Sequence, residues 1–197
     1  NRNERGEGLP GAHPEFSDYV DGLIAARRDV PRDDFITRLL EAEVDGRHLT
    51  DVEARTQLVF LFISGNETTR HVLTGGCEAL CRHPDERRAL LEDPRRIPTA
   101  VEEMLRWVTP IQNMNRTATR DVTLRGETIR EGDKVLLLYP SANRDETVFA
   151  DPFRFDVSRD PNPHVAFGFG AHFCLGASLA RLELRVLFEE LLPRLPD

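Results

Sequence analysis

The sequence predicts a mainly α-helical fold with a small β portion. Three observations lead there. Apolar residues recur at helical spacing through most of residues 15–109. Between Asn115 and Tyr139 the text alternates and is rich in β-branched residues. A last helical pattern, 177–192, follows a long segment punctuated by proline and glycine. The chain of 197 residues, 40% hydrophobic, is long enough for one domain with a real core.

The elements follow in order. EFSDYVDGLIAARR, 15–28, places Phe16, Tyr19, Val20, Leu23 and Ile24 on a helical stripe. DVPRDDFITRLLEAEVDG predicts a second helix, ending in a turn at Asp45-Gly46. Thr50 with Glu53 three residues on is a capping-box pattern, opening a helix that runs to about His83, before Pro84. That helix is about twice the usual length. Its first half is apolar almost all round, which predicts burial. PDERRALLED and TAVEEMLRWV predict two shorter amphipathic helices, the second ending before Pro110. In the β-rich part, 110–140, Arg125-Gly126 and Glu131-Gly132-Asp133 mark turns, so a hairpin or small sheet is expected. Residues 141–176 form a long irregular segment, a length that usually serves function. The first residues, NRNERGEGLPGAHPEF, read as an interior loop, and LLPRLPD stops just after a helix; both ends look like cuts through a larger protein.

Composition excludes several classes. With 26 basic against 34 acidic residues the net charge is −8, which argues against general nucleic-acid binding. The longest apolar runs, near LVFLFI and VLLLY, are far too short to span a membrane. Three cysteines do not suggest a disulfide framework, and a cytoplasmic protein is expected.

The stretch FGFGAHFCLG, 167–176, sets Cys174 among glycines and phenylalanines, just before the closing helix. Glycines allow tight bends or close approach. A cysteine at a helix entrance tends toward thiolate. A thiolate in an apolar loop suits a soft metal, above all a haem iron. Three other readings stand beside it: a small buried hydrophobe, a zinc site with His172 that would need a second ligand pair, and an iron–sulfur cluster that would normally want four cysteines. Cys77 and Cys81, one turn apart, read as helix-packing residues.

Two further patterns bear on the choice. SGNETT, 64–69, interrupts the apolar helix. Gly65 weakens a helix interior by about 1 kcal/mol relative to alanine. Thr68 is spaced to bond back to the Ser64 carbonyl and open the helix locally; the plain alternative is an exposed helix face with Glu67 and Arg70 as a surface pair. In VEEMLRW, Glu103 and Arg106 share a helix face and can pair, whereas Glu102 has no arginine at that spacing. Arg154, in PFRF, offers a guanidinium that could fork a carboxylate.

Taken together, these stretches resemble the cytochromes P-450 of the soluble bacterial type. FGFGAHFCLG carries all six fixed residues of that family's haem loop, Phe-Gly-x-Gly-x-His-x-Cys-x-Gly. SGNETT resembles its oxygen-activating helix segment, Glu103-x-x-Arg106 its structural pair, and SANRDE before DP is also similar. Ser64 stands where alanine or glycine is usual. The resemblance covers the C-terminal half of that fold: long central helix, small sheet, cysteine haem loop, last helix.

The resemblance implies haem b as cofactor, with Cys174 as the thiolate ligand to iron and Phe167, Gly168 and Gly176 in the loop around it. It implies His172 and Arg116 as propionate partners. Glu67 and Thr68 resemble the acid–alcohol pair that manages protons. Glu103, Arg106 and Arg154 resemble a structural cluster. Ile111, Gln112, Asn113 and Met114 match a stretch that lines the substrate pocket. The implied activity is a monooxygenase acting on an apolar small molecule, most similar to actinobacterial enzymes for sterols, terpenoids or fatty acids. No nucleotide-binding glycine fingerprint appears, so electrons from NAD(P)H are expected through a ferredoxin and its reductase, docking where Arg181 and Arg185 offer positive charge. A second function class stays open: a truncated, non-catalytic chain that self-associates as a homo-oligomer, with or without haem.

Overall fold

The computed structural model describes residues 14–195. The expected N-terminal loop falls mainly on residues 1–13, outside the described residues. The chain divides into two compact units, residues 1–66 and 67–197.

In the first unit, α1 (Pro14–Asp29) buries Val20 and Ile24. α2 (Phe35–Glu41) begins where the Asp34 carboxylate accepts the amide of Thr37 at 3.0 Å. The sequence predicts that this helix runs on to Asp45-Gly46. Instead Ala42 turns extended, and β1 (Glu43–Val44) pairs antiparallel with β2 (Arg47–His48). Asp45 and Gly46 both have positive φ, 52° and 77°, the combination a two-residue hairpin turn demands. The turn therefore dictates strands on either side of it.

α3 (Asp51–Arg82) leads from the first unit into the second. Its capping box is reciprocal: Glu53 Oε2 accepts the Thr50 amide at 2.9 Å, and Thr50 Oγ1 accepts the Glu53 amide at 3.3 Å. Ala54 and Val59 join Val20, Ile24 and Leu40 in the core of the first unit. The full burial predicted for this half of the helix does not occur. Phe60, Phe62 and Ile63 remain about half exposed. The apolar face is wider than the short helices α1 and α2 can cover.

The second unit is built on the rest of α3 with α4 (Pro84–Glu92), α5 (Ile97–Val108) and α7 (Ala177–Leu191). Val72, Leu80, Val101, Met104, Leu184 and Phe188 form the centre of its core. At Gly76 a Cβ would stand 2.9 Å from the Met104 sulfur and 3.1 Å from Phe188, so glycine lets α3 lie close to both neighbours. Cys77 packs against this core as expected, but Cys81 is exposed. One helical turn carries it past the edge of the apolar stripe.

Between α5 and α7 come two antiparallel ladders. β3 (Asn113–Thr117) pairs with β6 (Lys134–Leu138), Arg116 opposite Val135. β4 (Val122–Leu124) and β5 (Glu127–Ile129) form a hairpin across Arg125-Gly126, again with two positive φ values. α6 (Tyr139–Ala142) is a single turn, and a mostly irregular stretch leads from it to α7. No helix among the described residues is long and apolar enough to cross a membrane.

Candidate active site

The cysteine loop is shaped by its own backbone. The Gly168 amide donates to Val165 O at 2.8 Å, and the Phe173 amide donates to Gly170 O at 3.0 Å, closing a 3-10 turn over Gly170–His172. The Cys174 amide then donates back to Phe167 O at 3.0 Å. Gly168 and Gly170 hold φ of 68° and 70°, values that favour glycine. A Cβ on Gly168 would also sit 3.9 Å from the Tyr139 hydroxyl. The result is an exposed Cys174 three residues before α7. Phe169, Phe173, Leu175 and Leu179 around it are exposed too, 51–84%. Apolar side chains gathered beside a free thiol form a surface made to be covered.

α5 fastens this loop with two adjacent acids that serve different partners. Glu103 and Arg106 are both fully buried and meet in a forked pair, both contacts 2.7 Å. Arg106 commits all five of its N–H groups. Nε and one Nη2 hydrogen go to Glu103; the others go to the carbonyls of Asn143 (2.9 Å), Pro152 (2.8 Å) and Arg154 (3.1 Å). Glu103 also accepts from the Asp156 amide, Arg159 Nε and Asn162 Nδ2. The sequence suggests the Arg154 guanidinium for this cluster. In the structure Arg154 contributes only its carbonyl. Its side chain is exposed and lies 4.0 Å from Glu86. Arg159, five residues on, reaches Glu103 instead. The turn at residues 151–154 aims the Arg154 carbonyl inward and its side chain out.

Asn143, absent from the sequence reading as a site residue, is the hub between α5 and the loop. It is fully buried. Its Nδ2 donates to Thr109 Oγ1 and its Oδ1 accepts the Val165 amide, both at 2.8 Å. Thr109 caps α5 with φ of 45°, a rare value for a β-branched residue. Its hydroxyl donates to Arg106 O at 2.7 Å, which helps hold that conformation. SANRDE carried a signal for Asn143, but only as part of a resemblance.

Glu102 faces α7. Arg181 forks it at 2.7 and 2.9 Å, and His164 Nε2 lies 3.1 Å from Oε2. His164 Nδ1 accepts the Ala166 amide at 3.2 Å, so the ring proton sits on Nε2 and donates to Glu102. The Arg181 guanidinium stacks over Phe167, 4.7 Å from the ring centre. Burial pushes the Glu102 carboxyl up, but bonds from His164 and Arg181 outweigh it and hold the group at about 2, against 4.5 normally. A depressed carboxyl contributes stability above its unfolded value and loses it as pH falls. Glu102→Gln is therefore expected to lower urea resistance at pH 7, and the difference from the parent should shrink between pH 4.5 and 2. Denaturation curves at pH 7 and pH 3 check this; a constant gap would contradict it.

The remaining predicted residues are dispersed. α3 passes Gly65 without a break, so the expected local opening is absent. Intrahelical bonding outweighs one glycine. Ser64 Oγ donates to Phe60 O at 2.7 Å. Glu67 is exposed and pairs with Arg70 at 2.6 Å, with His71 3.7 Å away; Thr68 beside it is half-buried. Arg116 and His172 are exposed. Arg116 bends to the Asn115 carbonyl. Ile111 is half-buried, while Gln112, Asn113 and Met114 are exposed. Gln112 O receives the Tyr139 amide at 3.2 Å, linking this stretch to the residue beneath Gly168. Arg181 and Arg185, expected to dock a partner, are engaged within the chain, with Glu102 and with Glu189 at 3.4 Å.

One soft sulfur donor, exposed, hinged by glycines and ringed by apolar side chains, fits a group that brings its own equatorial donors, as haem does. Among the described residues no group of three or more His, Cys, Asp or Glu side chains stands together, so the second ligand pair a zinc site would need has no candidate there.

Comparison with known proteins agrees with that chemistry. The chain is 49% identical over 186 residues to the steroid C26-monooxygenase of Mycobacterium tuberculosis H37Rv, covering 94% of this chain and 47% of that protein. It is 50% identical over 181 residues to the methyl-branched lipid omega-hydroxylase of Mycobacterium bovis, covering 91% and 42%. A Mycobacterium marinum cytochrome P450 in complex with pseudoionone superposes with a TM-score of 0.87 at 48% identity, covering 93% of this chain and 46% of that one. The chain thus spans about half the length of the curated relatives it matches. Residues 6–195 match the Cytochrome P450 family, and with Cys174 carried on its glycine-hinged loop before α7, the chain belongs to that family.

Proposed function

We propose that this chain is the haem-thiolate portion of a cytochrome P450 monooxygenase, acting on an apolar sterol, terpenoid or fatty-acid-like substrate in the cytoplasm. The observation that carries the reading is the exposed Cys174, presented by a glycine-hinged loop and fixed to α5 through Asn143 and Glu102. The names of the steroid and lipid relatives support the substrate class.

Cys174 would hold haem b through its thiolate, with Phe167, Gly168 and Gly176 shaping the loop around the sulfur, and His172 and Arg116 would pair with the propionates. Haem bound there would supply the chemistry that places one atom of O2 into a C–H bond, with two electrons and two protons taking the other to water. Glu67 and Thr68 deliver those protons, carboxyl and hydroxyl acting as a pair. Ile111 to Met114 line the substrate side. Glu103, Arg106 and the Arg154 carbonyl keep α5 registered against the loop. A ferredoxin, reduced by NAD(P)H through its reductase, supplies electrons at the apolar rim of the loop.

Adding haem and recording the reduced, CO-treated chain tests the reading. A red-shifted Soret band of thiolate ligation is expected; an unshifted band alone would sink the proposal. Thr68→Ala, in the haem-loaded and electron-supplied form, should keep haem and substrate binding but cut product per electron pair by roughly tenfold or more, with peroxide or water made instead. Oxygen uptake against product formed measures this, and unchanged coupling would remove Thr68 from its role.

A second reading, a self-associating chain without turnover, is favoured by the exposed Phe60, Phe62 and Ile63. Light scattering at low concentration decides it; a stable monomer carrying stoichiometric haem would exclude it.

A further inference from the structure

We propose that Glu102 and Arg181 form a positioning pair that clamps Phe167, and through it holds the cysteine loop in the conformation that presents the Cys174 sulfur. The inference deepens the haem-thiolate reading and rests on it for its spectroscopic arm only. Three contacts meet on this one carboxylate. Arg181 arrives from α7 as a two-toothed fork, and His164 arrives from the segment entering the loop. Each fixes a different end of the same short stretch. His164 also binds the Ala166 amide, so the backbone just before Phe167 is tied to Glu102 through one imidazole. Arg181 lies on the Phe167 ring, which is itself edge-on to Phe173, 6.2 Å between centres. Phe167 O accepts the Cys174 amide. A displacement of Phe167 is therefore passed directly to the cysteine.

The chemistry of each member suits this task. The guanidinium is planar, so it can fork a carboxylate with its edge and cover a ring with its face; an ammonium can do neither. Glu102 keeps its charge down to low pH, so the fork persists over the whole physiological range. The bonds from Glu102 hold the Arg181 charge more firmly, outweighing the opposing effect of burial. The His164 side chain is almost fully covered, 3% exposed, so its bond is shielded from competing water. Glu103, the neighbouring acid, is wholly committed to Arg106, Arg159 and Asn162 and cannot replace Glu102.

The test uses the whole chain, first without haem. Amide hydrogen exchange is followed by mass spectrometry in Glu102→Gln and Arg181→Gln. Exchange over residues 164–176 should rise about tenfold, as expected for loss of a charge-assisted bond pair, well beyond the rise in α3 and α5 that the lower overall stability brings. After haem addition, the reduced CO form of both variants should show a larger share of the unshifted Soret band, and the haem reduction potential should move. Protection and spectra equal to the parent in both variants overturn the proposal. So does exchange that rises only in step with the rest of the unit, which would make the pair a plain stability element. If the parent itself forms no thiolate-type band, the functional reading fails, and the haem-free exchange still decides the clamp.

Discussion

Arg106→Met is expected to unfold the second unit under conditions where the parent is stable, lowering its stability by about 3–5 kcal/mol. That is a large share of the roughly 5–15 kcal/mol a domain has in total. The side chain is fully buried, and methionine fills much of its volume, so packing is not the main loss. The loss is electrostatic. Five N–H donors disappear together. Glu103 keeps Arg159, Asn162 and one amide but loses its forked partner, and the carbonyls of Asn143, Pro152 and Arg154 lose the donor they share. A buried acceptor left open costs about 1–3 kcal/mol. Arg106→Lys should recover little, because three rotating N–H groups on one nitrogen cannot serve a carboxylate and three carbonyls from different directions. Urea unfolding followed by the fluorescence of Trp107, the chain's single tryptophan, is the measurement; its ring lies 5.8 Å from the Arg106 guanidinium. An unchanged midpoint in Arg106→Met would show that the cluster is stabilised by packing alone.

The contrast between Glu103 and Glu102 shows what the sequence can reveal. Glu103 and Arg106 are three residues apart on one helix, so their spacing carries their geometry. Glu102 has a forked partner too, but Arg181 lies 79 residues away and meets it only because α5 packs on α7. No local rule reaches that far. The same reason separates Arg154 from Arg159. PFRF offers an arginine between two aromatics, yet the turn chooses which side chain points inward, and that depends on tertiary contacts of 151–159. Long helices, the capping box at Thr50 and the two Gly turns were legible because they follow from neighbours in the chain. The Asp45-Gly46 hairpin was partly so: the turn was readable, the strands it imposes were not. Asn143 was hidden altogether as a buried hub, since an asparagine in a polar segment ordinarily reads as a surface turn.

Cys174→Ala is expected to abolish the red-shifted CO band completely while leaving the fold intact. The thiol side chain is exposed, and the bonds that shape the loop run through backbone atoms: the Cys174 amide to Phe167 O, and the Ala177 amide to Cys174 O. Alanine keeps both. Far-UV circular dichroism and the urea midpoint should therefore match the parent within about 0.5 kcal/mol, the usual range for a surface substitution. What alanine removes is the one sulfur the loop presents. Cys81 is exposed but stands on the continuous helix α3, with no glycine-hinged loop around it. Cys77 is packed against the core, and burial, with a smaller effect of Cys81, pushes its thiol up, away from thiolate character. Neither can take over, so Cys77→Ala and Cys81→Ala should leave the band in place. Haem affinity in Cys174→Ala should fall as well, since on the proposed reading only the apolar rim and the proposed propionate partners would be left to hold it. If the variant retained the red-shifted band, the ligand would lie elsewhere and the loop would be a wall of the site. If it lost the band together with its helical signal, the sulfur would be holding the fold, and a rigid α5 frame presenting a separate thiolate would be the wrong picture of the site.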